Sequence, residues 1–379
     1  MEIFWNIPTQ GDGHFLGTPI GARALTPGYM QQIAQATDQL GYHGVLVPTG
    51  RVCEDAWVVA SFLAASTRQL KFIVAARPQV ASPTVLARMA ASLDRVSEGR
   101  VILNVVTGGD PGELAADGVF LDHDTRYAVT DEFLTILHRL FAGETVDFEG
   151  RHLKVRGAKL LLPQVQIPRP LLFLGGSSEP AREIAARHID SYLTWGEPLD
   201  EVREKIADVR RRAAAHGREI SFGIRFFLVV RETEKAAWAA ADDLLRHVDQ
   251  SAIDAAQAHL ATMDSEGQRR MTALHRGRRE DLVIGPNLWA GIGLVRGHAG
   301  TALVGTPAQI AARLLEYADL GIDRFIVSGY PGIEEAYRFA EQVFPLLPLA
   351  PRSTTVNAAR GPVGEALAGA FYPERESAA

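Results

Sequence analysis

The feature that most constrains this chain is an alternation. Short, continuously apolar runs are separated by helix-like segments along most of its length. The runs are EIFWNIP (2–8), GVLVPT (44–49), KFIVAARP (71–78), VILNVVTGG (101–109), LLFLGG (171–176), SYLTW (191–195), SFGIRFFLVV (221–230) and RFIVSG (324–329). Apolar runs without polar alternation read as strands buried on both faces, as in a parallel sheet covered by helices. Between them stand helical patterns. Met30, Ile33, Ala34, Thr37 and Leu40 share one face ahead of Gly41. Thr306, Pro307 and Gln309 supply an N-cap, a first-turn proline and a capping-box partner, and Gly321 supplies the stop. Eight such units favour an α/β fold of the closed (β/α)₈ TIM-barrel type over an open sheet.

The 379 residues exceed an ordinary domain but suit one barrel with insertions. Residues 1–348 are expected to form that single domain. Insertions are expected at 108–125 and 143–170, the second with a hairpin turning at Glu149–Gly150. The Gln-, Arg- and Gly-rich stretch 250–300 reads as a long loop and mobile lid, and 349–379 as a C-terminal tail. A formal net charge of −6 argues against a nucleic-acid or anionic-membrane partner. The start has no basic n-region, and no apolar window spans a bilayer, so a cytoplasmic protein is expected. Cys53 is the single cysteine, which excludes an internal disulfide and a cysteine-built metal site.

In a barrel, chemistry gathers at the C-terminal ends of the strands. The first strand runs into PTQGDGHFLGT (8–18), which reads as a loop at the mouth or a simple turn. The run 171–176 ends in two glycines, after which Ser177 and Ser178 open a helix. Free N–H groups, the helix dipole and two hydroxyls make an anion site, with plain capping by Ser178 as the bland alternative. Cys53 beside Arg51 reads as a reactive thiol or a small buried apolar group. Arg225 is the misfit of its strand. It shares a face with Gly223, Phe227 and Val229, and a guanidinium cannot shed its charge. It awaits either an oxyanion ligand or a buried carboxylate.

Taken together, PTQGDGHFLGT, LGYHGVLVPTGRVCEDAW, RPQVASPTVLARMAA, NVVTGGDPGELAADGVFLDHDTRY, GGSSEPA, YLTWGEP, FGIR, PNLWAGIGLVRGHAGTALVG and the SGYP and EEAYRFAE segments resemble the flavin-dependent alkanesulfonate monooxygenases of the bacterial luciferase-like family. The resemblance implies a TIM barrel binding reduced FMN from a separate NAD(P)H-dependent FMN reductase. It implies oxidation by O₂ of the carbon–sulfur end of an organosulfonate to an aldehyde and sulfite, in a homotetramer or homodimer. By the same resemblance, Cys53, Arg225, Arg296 and Tyr330 fall at catalytic positions and Trp195 in the sulfonate pocket. Tyr127, Gly176, Ser177 and Ser178 fall at the flavin phosphate, and Asn104 and Thr107 near the isoalloxazine. Ala75–Ala76 falls where relatives can carry a non-proline cis peptide.

Three departures concern the same pocket. Gln10, Phe227 and Gly332 stand where the family has histidines, and His298 stands where it has glycine. Histidine is the side chain suited to proton transfer near neutral pH. Phe227 implies a larger apolar substrate tail, Gly332 more space, and Gln10 hydrogen bonding without titration. A sulfone, a sugar sulfonate such as sulfoquinovose, a non-sulfur substrate, or a non-catalytic flavin-binding role remain alternatives.

Overall fold

The computed structural model describes residues 1–352. The eight apolar runs are the eight strands of a closed barrel. They are β1 (Glu2–Asn6), β2 (Gly44–Val47), β3 (Lys71–Ala76), β4 (Val101–Val105), β5 (Leu171–Gly175), β6 (Ser191–Trp195), β7 (Ser221–Val230) and β8 (Ile322–Gly329). Each pairs in parallel with the next, and β8 returns to β1. Strand alternation sorts the side chains. Phe4, Leu46, Ile73, Ile102, Phe173 and Ile326 fill the barrel. Ile3, Val45, Val74, Leu103, Leu172, Ile224 and Phe325 face outward into the layer shared with the helices.

The outer helices are α1 (Pro27–Leu40), α2 (Ala56–Ala64), α3 (Pro83–Val96), α4 (His123–Phe141), α5 (Glu179–His188), α6 (Leu199–Ala215), α7 (Pro307–Asp319) and α8 (Gly332–Gln342). Their starts follow the sequence punctuation. Thr306 and Gln309 form the reciprocal capping box of α7, and Ser178 caps α5 through the Ala181 N–H. No helix among the described residues is long and apolar enough to cross a membrane.

The 108–125 insertion holds a short helix, Pro111–Ala116, and 143–170 holds the antiparallel hairpin Val146–Glu149 with Lys154–Ala158. The stretch 250–300 is not the featureless loop expected. It contains helices Gln250–Ala261 and Glu266–His275, capped by Asp249 and Ser265. Their apolar stripes are thin, since Ile253 and Leu260 are the buried apolar residues of the first and Met271 that of the second. That thinness hid their helical period. A further short strand, Ala302–Gly305, runs parallel to Phe227–Val230 of β7. It takes over the edge of β7 that β6 leaves at Trp195. The Ala75–Ala76 peptide is trans, because both residues continue a regular ladder opposite Asn104 and Val105. The cis peptides among the described residues are Ile167–Pro168 and Tyr330–Pro331. Residues 1–349 form one compact unit. Most of the expected tail, 353–379, lies outside the described residues.

Candidate active site

The alternation of β7 aims Arg225 into the mouth of the barrel. In register it lies between Trp195 of β6 and Ile326 of β8. Its Nη2 donates to Asn6 Oδ1 at 3.2 Å, while its buried Nε has no partner. Among the described residues no carboxylate lies within ion-pair distance of it. Arg296 follows the 3₁₀ turn Gly291–Leu294. Its guanidinium carbon lies 5.3 Å from the Phe227 ring centroid and 5.7 Å from that of Tyr330. Those two rings stack at 5.4 Å and 10°. The imidazole expected from family resemblance is thus replaced by a ring that offers Arg296 a π face.

Two cations therefore share one mouth, walled around Arg296 by Trp5, Phe227 and Tyr330 and by the polar side chains of Asn6, Asp12 and Ser328. Desolvation pushes Arg225 down to about 10. Arg296 is pushed down to about 9, first by desolvation and then by the charge of Arg225. A guanidinium keeps its proton in proteins, so both side chains stay charged at these half-buried positions. Cys53 lies between Gln10 and the cations. Its Sγ donates to Gln10 Oε1 at 3.6 Å. Burial pushes the thiol up, while the Thr9 hydroxyl, Arg296 and Arg225 act in the other sense. A neutral thiol is a poor nucleophile, so Cys53 is placed as a neutral polar neighbour.

His298 enters through a left-handed turn, φ 74°. Its backbone N–H donates to Gln268 Oε1 at 2.7 Å, and its ring lies 6.2 Å from that of Trp195. The residue is exposed. Crowding by protein, then Arg225 and Arg296, hold it below its ordinary pKa. At Gly332 the expected extra space is absent. Its N–H donates to both Asp12 oxygens, at 3.1 and 2.9 Å, and a Cβ there would meet Asp12 Oδ2 at 3.3 Å. The Asp12 carboxylate, also held by Gly13 N–H and the Tyr29 hydroxyl, occupies the room.

A second region opens where β5 meets α5. It is a cleft of about 690 Å³ lined by His123, Ser177 and Ser178, by the cations Arg182, Lys205, Arg269 and Arg270, and by six carboxylates. Gly176 makes the turn, since a Cβ would lie 2.6 Å from Ala181 Cβ and 3.2 Å from the Tyr127 hydroxyl. Tyr127 thus backs the turn, with its ring on His123 at 5.0 Å. The cations of the cleft are already paired, Arg182 with Asp208, Lys205 and Arg270 with Glu197, and Arg269 with Glu266. Ser177 has no hydrogen bond among the described residues. That hydroxyl and the first-turn N–H groups of α5 are what the cleft has left for an anion.

Between the two regions, Ala75 and Asn104 face each other inside the barrel, with Phe173 beyond, and Thr107 is buried just past β4. Ala76 points to the opposite, helix-covered face. The stretch 250–300 is tied down over the barrel end. Arg126, 3% exposed, pairs with Asp264 at 2.9 Å, and Arg270 reaches Glu197 and Glu201. Of the other arginines there, Arg278 pairs with Asp281 and Arg279 donates to backbone carbonyls. Two residues of the mouth escaped the sequence reading, Asn6 and Ser328, whereas Thr9 and Asp12 lie in the loop 8–18 that it placed there. Asn6 carried the same signal as Arg225, a polar residue on the inner face of an apolar run.

The architecture has solved counterparts. A riboflavin lyase determined with modified FMN and substrate riboflavin superposes with a TM-score of 0.76 at 23% identity, covering 91% of each chain. The EDTA monooxygenase of Chelativorans sp. BNC1 gives 0.73 at 19%, covering 94% of this chain and 96% of that one. A long-chain alkane monooxygenase gives 0.74 at 19%, covering 91% and 90%. At these identities the likeness carries the fold. The sequence itself matches the family model described as luciferase-like monooxygenase over residues 1–324, and the chain belongs to the luciferase-like monooxygenase family.

Proposed function

We propose that this protein is a two-component flavin-dependent monooxygenase that cleaves the carbon–sulfur bond of an organosulfonate. The single observation that carries the reading is the pair Arg225 and Arg296, aimed into one mouth with no carboxylate in ion-pair reach among the described residues. Two desolvated guanidiniums suit a tetrahedral oxyanion. The aromatic wall of Trp195, Phe227 and Tyr330 suits an apolar substrate body beside it. The residues also fit flavin mononucleotide. The unpartnered Ser177 hydroxyl and the α5 N-terminus can take its phosphate, and Asn104 and Ala75 stand on the inner face toward the ring. Reduced FMN bound there, delivered by an NAD(P)H-dependent reductase, would supply two electrons to O₂. One oxygen atom enters the aldehyde and the other leaves as water, with bisulfite as the second product. The side chains of the mouth hold the anion, exclude water and neutralise developing charge.

The protein is proposed to work as a homo-oligomer. Val58 and Phe62 on α2, and Val85, Met89 and Val96 on α3, form outward apolar stripes at 68%, 41%, 40%, 37% and 72% exposure. A second copy would cover them.

The test is sulfite release from a panel of alkyl, aryl and sugar sulfonates with reductase, NADPH, FMN and O₂. Oxygen-dependent sulfite release supports the reading. Oxygen-dependent turnover of a non-sulfur compound without sulfite would replace the substrate class. Flavin binding with no turnover of any compound would leave a binding protein.

A further inference from the structure

Arg225 is held by an amide, whereas other buried and half-buried arginines of this chain are held by charge. Arg126, Arg169, Arg231 and Arg324 take the carboxylates of Asp264, Asp190, Glu335 and Glu2. Arg100 and Arg218 take several backbone carbonyls each. Arg225 has, among the described residues, one neutral side-chain oxygen, and its buried Nε has no partner. Strand register shows how that oxygen reaches it. Arg225 stands opposite Ile326 of β8, and Ile326 stands opposite Phe4 of β1, so the three share one level of the barrel. Phe4 and Ile326 are buried barrel fillers and make an apolar floor. The guanidinium therefore rises toward the C-terminal ends of the strands. There it meets Asn6, the next inward residue of β1, which is 7% exposed. Asn6 Nδ2 donates to the Ile7 carbonyl at 3.2 Å, which turns Oδ1 toward Arg225 Nη2, also at 3.2 Å.

Resting on the reading of the mouth as an anion site, we propose that Asn6 is the positioning residue for Arg225, a neutral acceptor that orients the guanidinium and leaves its charge for an anionic substrate. An amide oxygen supplies a dipole and no charge. A carboxylate is the usual partner of a buried arginine. At this place it would close an ion pair within the protein, and an incoming anion would meet its negative charge. Asparagine keeps the cation aimed and unneutralised.

The experiment is calorimetric titration of the FMN-saturated protein with octanesulfonate and with octanesulfonamide, its uncharged counterpart, at neutral pH and fixed ionic strength. It compares wild type, Asn6→Asp and Asn6→Ala, with thermal denaturation alongside. Asn6→Asp sets a full negative charge a few ångströms from the bound head group, so it is expected to lose about a hundredfold on octanesulfonate. It should bind octanesulfonamide as wild type does, and melt no lower, because Arg225 gains an ion pair. Asn6→Ala frees the guanidinium without adding charge and is expected to lose about tenfold on octanesulfonate. Wild-type affinity for octanesulfonate in either folded variant overturns the inference while leaving the anion site standing. Equal losses on the sulfonate and the sulfonamide overturn it too, because a structural role moves both together. A wild-type protein that binds neither compound, or prefers the sulfonamide, overturns the anion-site reading itself and the inference with it.

Discussion

At the scale of single residues, the mouth is defined by what each polar atom lacks. Arg225 has one neutral partner, Asn6, and Arg296 has two aromatic faces. Phe227 is then a positioning residue for Arg296. Phe227→Leu removes one π face and is expected to raise the KM for the anionic substrate about fivefold with kcat little changed. A kcat loss as large as the KM effect would show that Phe227 does more than orient the cation. The pH dependence follows from the same atoms. Arg225 and Arg296 stay charged, burial raises the Cys53 thiol, and His298 is held below its ordinary value. A depressed imidazole gains its proton, and its attraction for an anion, only well below pH 6.5. Affinity for a sulfonate measured by calorimetry should therefore be flat between about pH 6 and 8. A fall through that range would mean that an imidazolium contributes to binding. The sequence pointed to Arg225 because a fixed charge on an apolar strand is conspicuous. It did not point to Ser328, because a hydroxyl in a strand is unremarkable until its partners are counted. It also suggested free space at Gly332, which a folded neighbour, Asp12, turns out to fill.

At the scale of elements, the strands and α7 were legible because their signals are local: apolar continuity, caps and stops. The helices within 250–300 were not, because so few of their residues are buried apolar ones that no clear period survives. What fixes them is tertiary. Asp264 pairs with buried Arg126, and Arg270 pairs with Glu197, which is 1% exposed. The start of α5 separates two roles that the sequence could only list together. Ser178 accepts from Ala181 N–H, whereas Ser177 bonds nothing among the described residues. Ser178→Ala is expected to cost about 1 kcal/mol of stability through the lost cap. Ser177→Ala should leave the melting temperature unchanged and weaken FMN binding, read by quenching of flavin fluorescence. Equal FMN affinity in wild type and Ser177→Ala would remove that hydroxyl from the phosphate site.

At the scale of the molecule, the closed barrel gathers groups that are far apart in sequence. Residue 6 meets residue 225, and residue 53 lies beside residue 10. The order of the strands was readable from the alternation, but these meetings depend on register, which a pattern of apolar runs does not give. The outward stripes on α2 and α3 bear on assembly. Phe62→Glu combined with Met89→Glu should shift the mass measured by light scattering toward that of one chain. An oligomer unaffected by both charges would place its interface elsewhere. The role of Arg225 and Arg296 is decided by where an anion sits. A crystal structure with octanesulfonate bound should show sulfonate oxygens about 2.8 Å from guanidinium nitrogens of Arg225 and Arg296. Density for the sulfonate elsewhere, with Arg225 paired to a carboxylate and turned from the mouth, would contradict it.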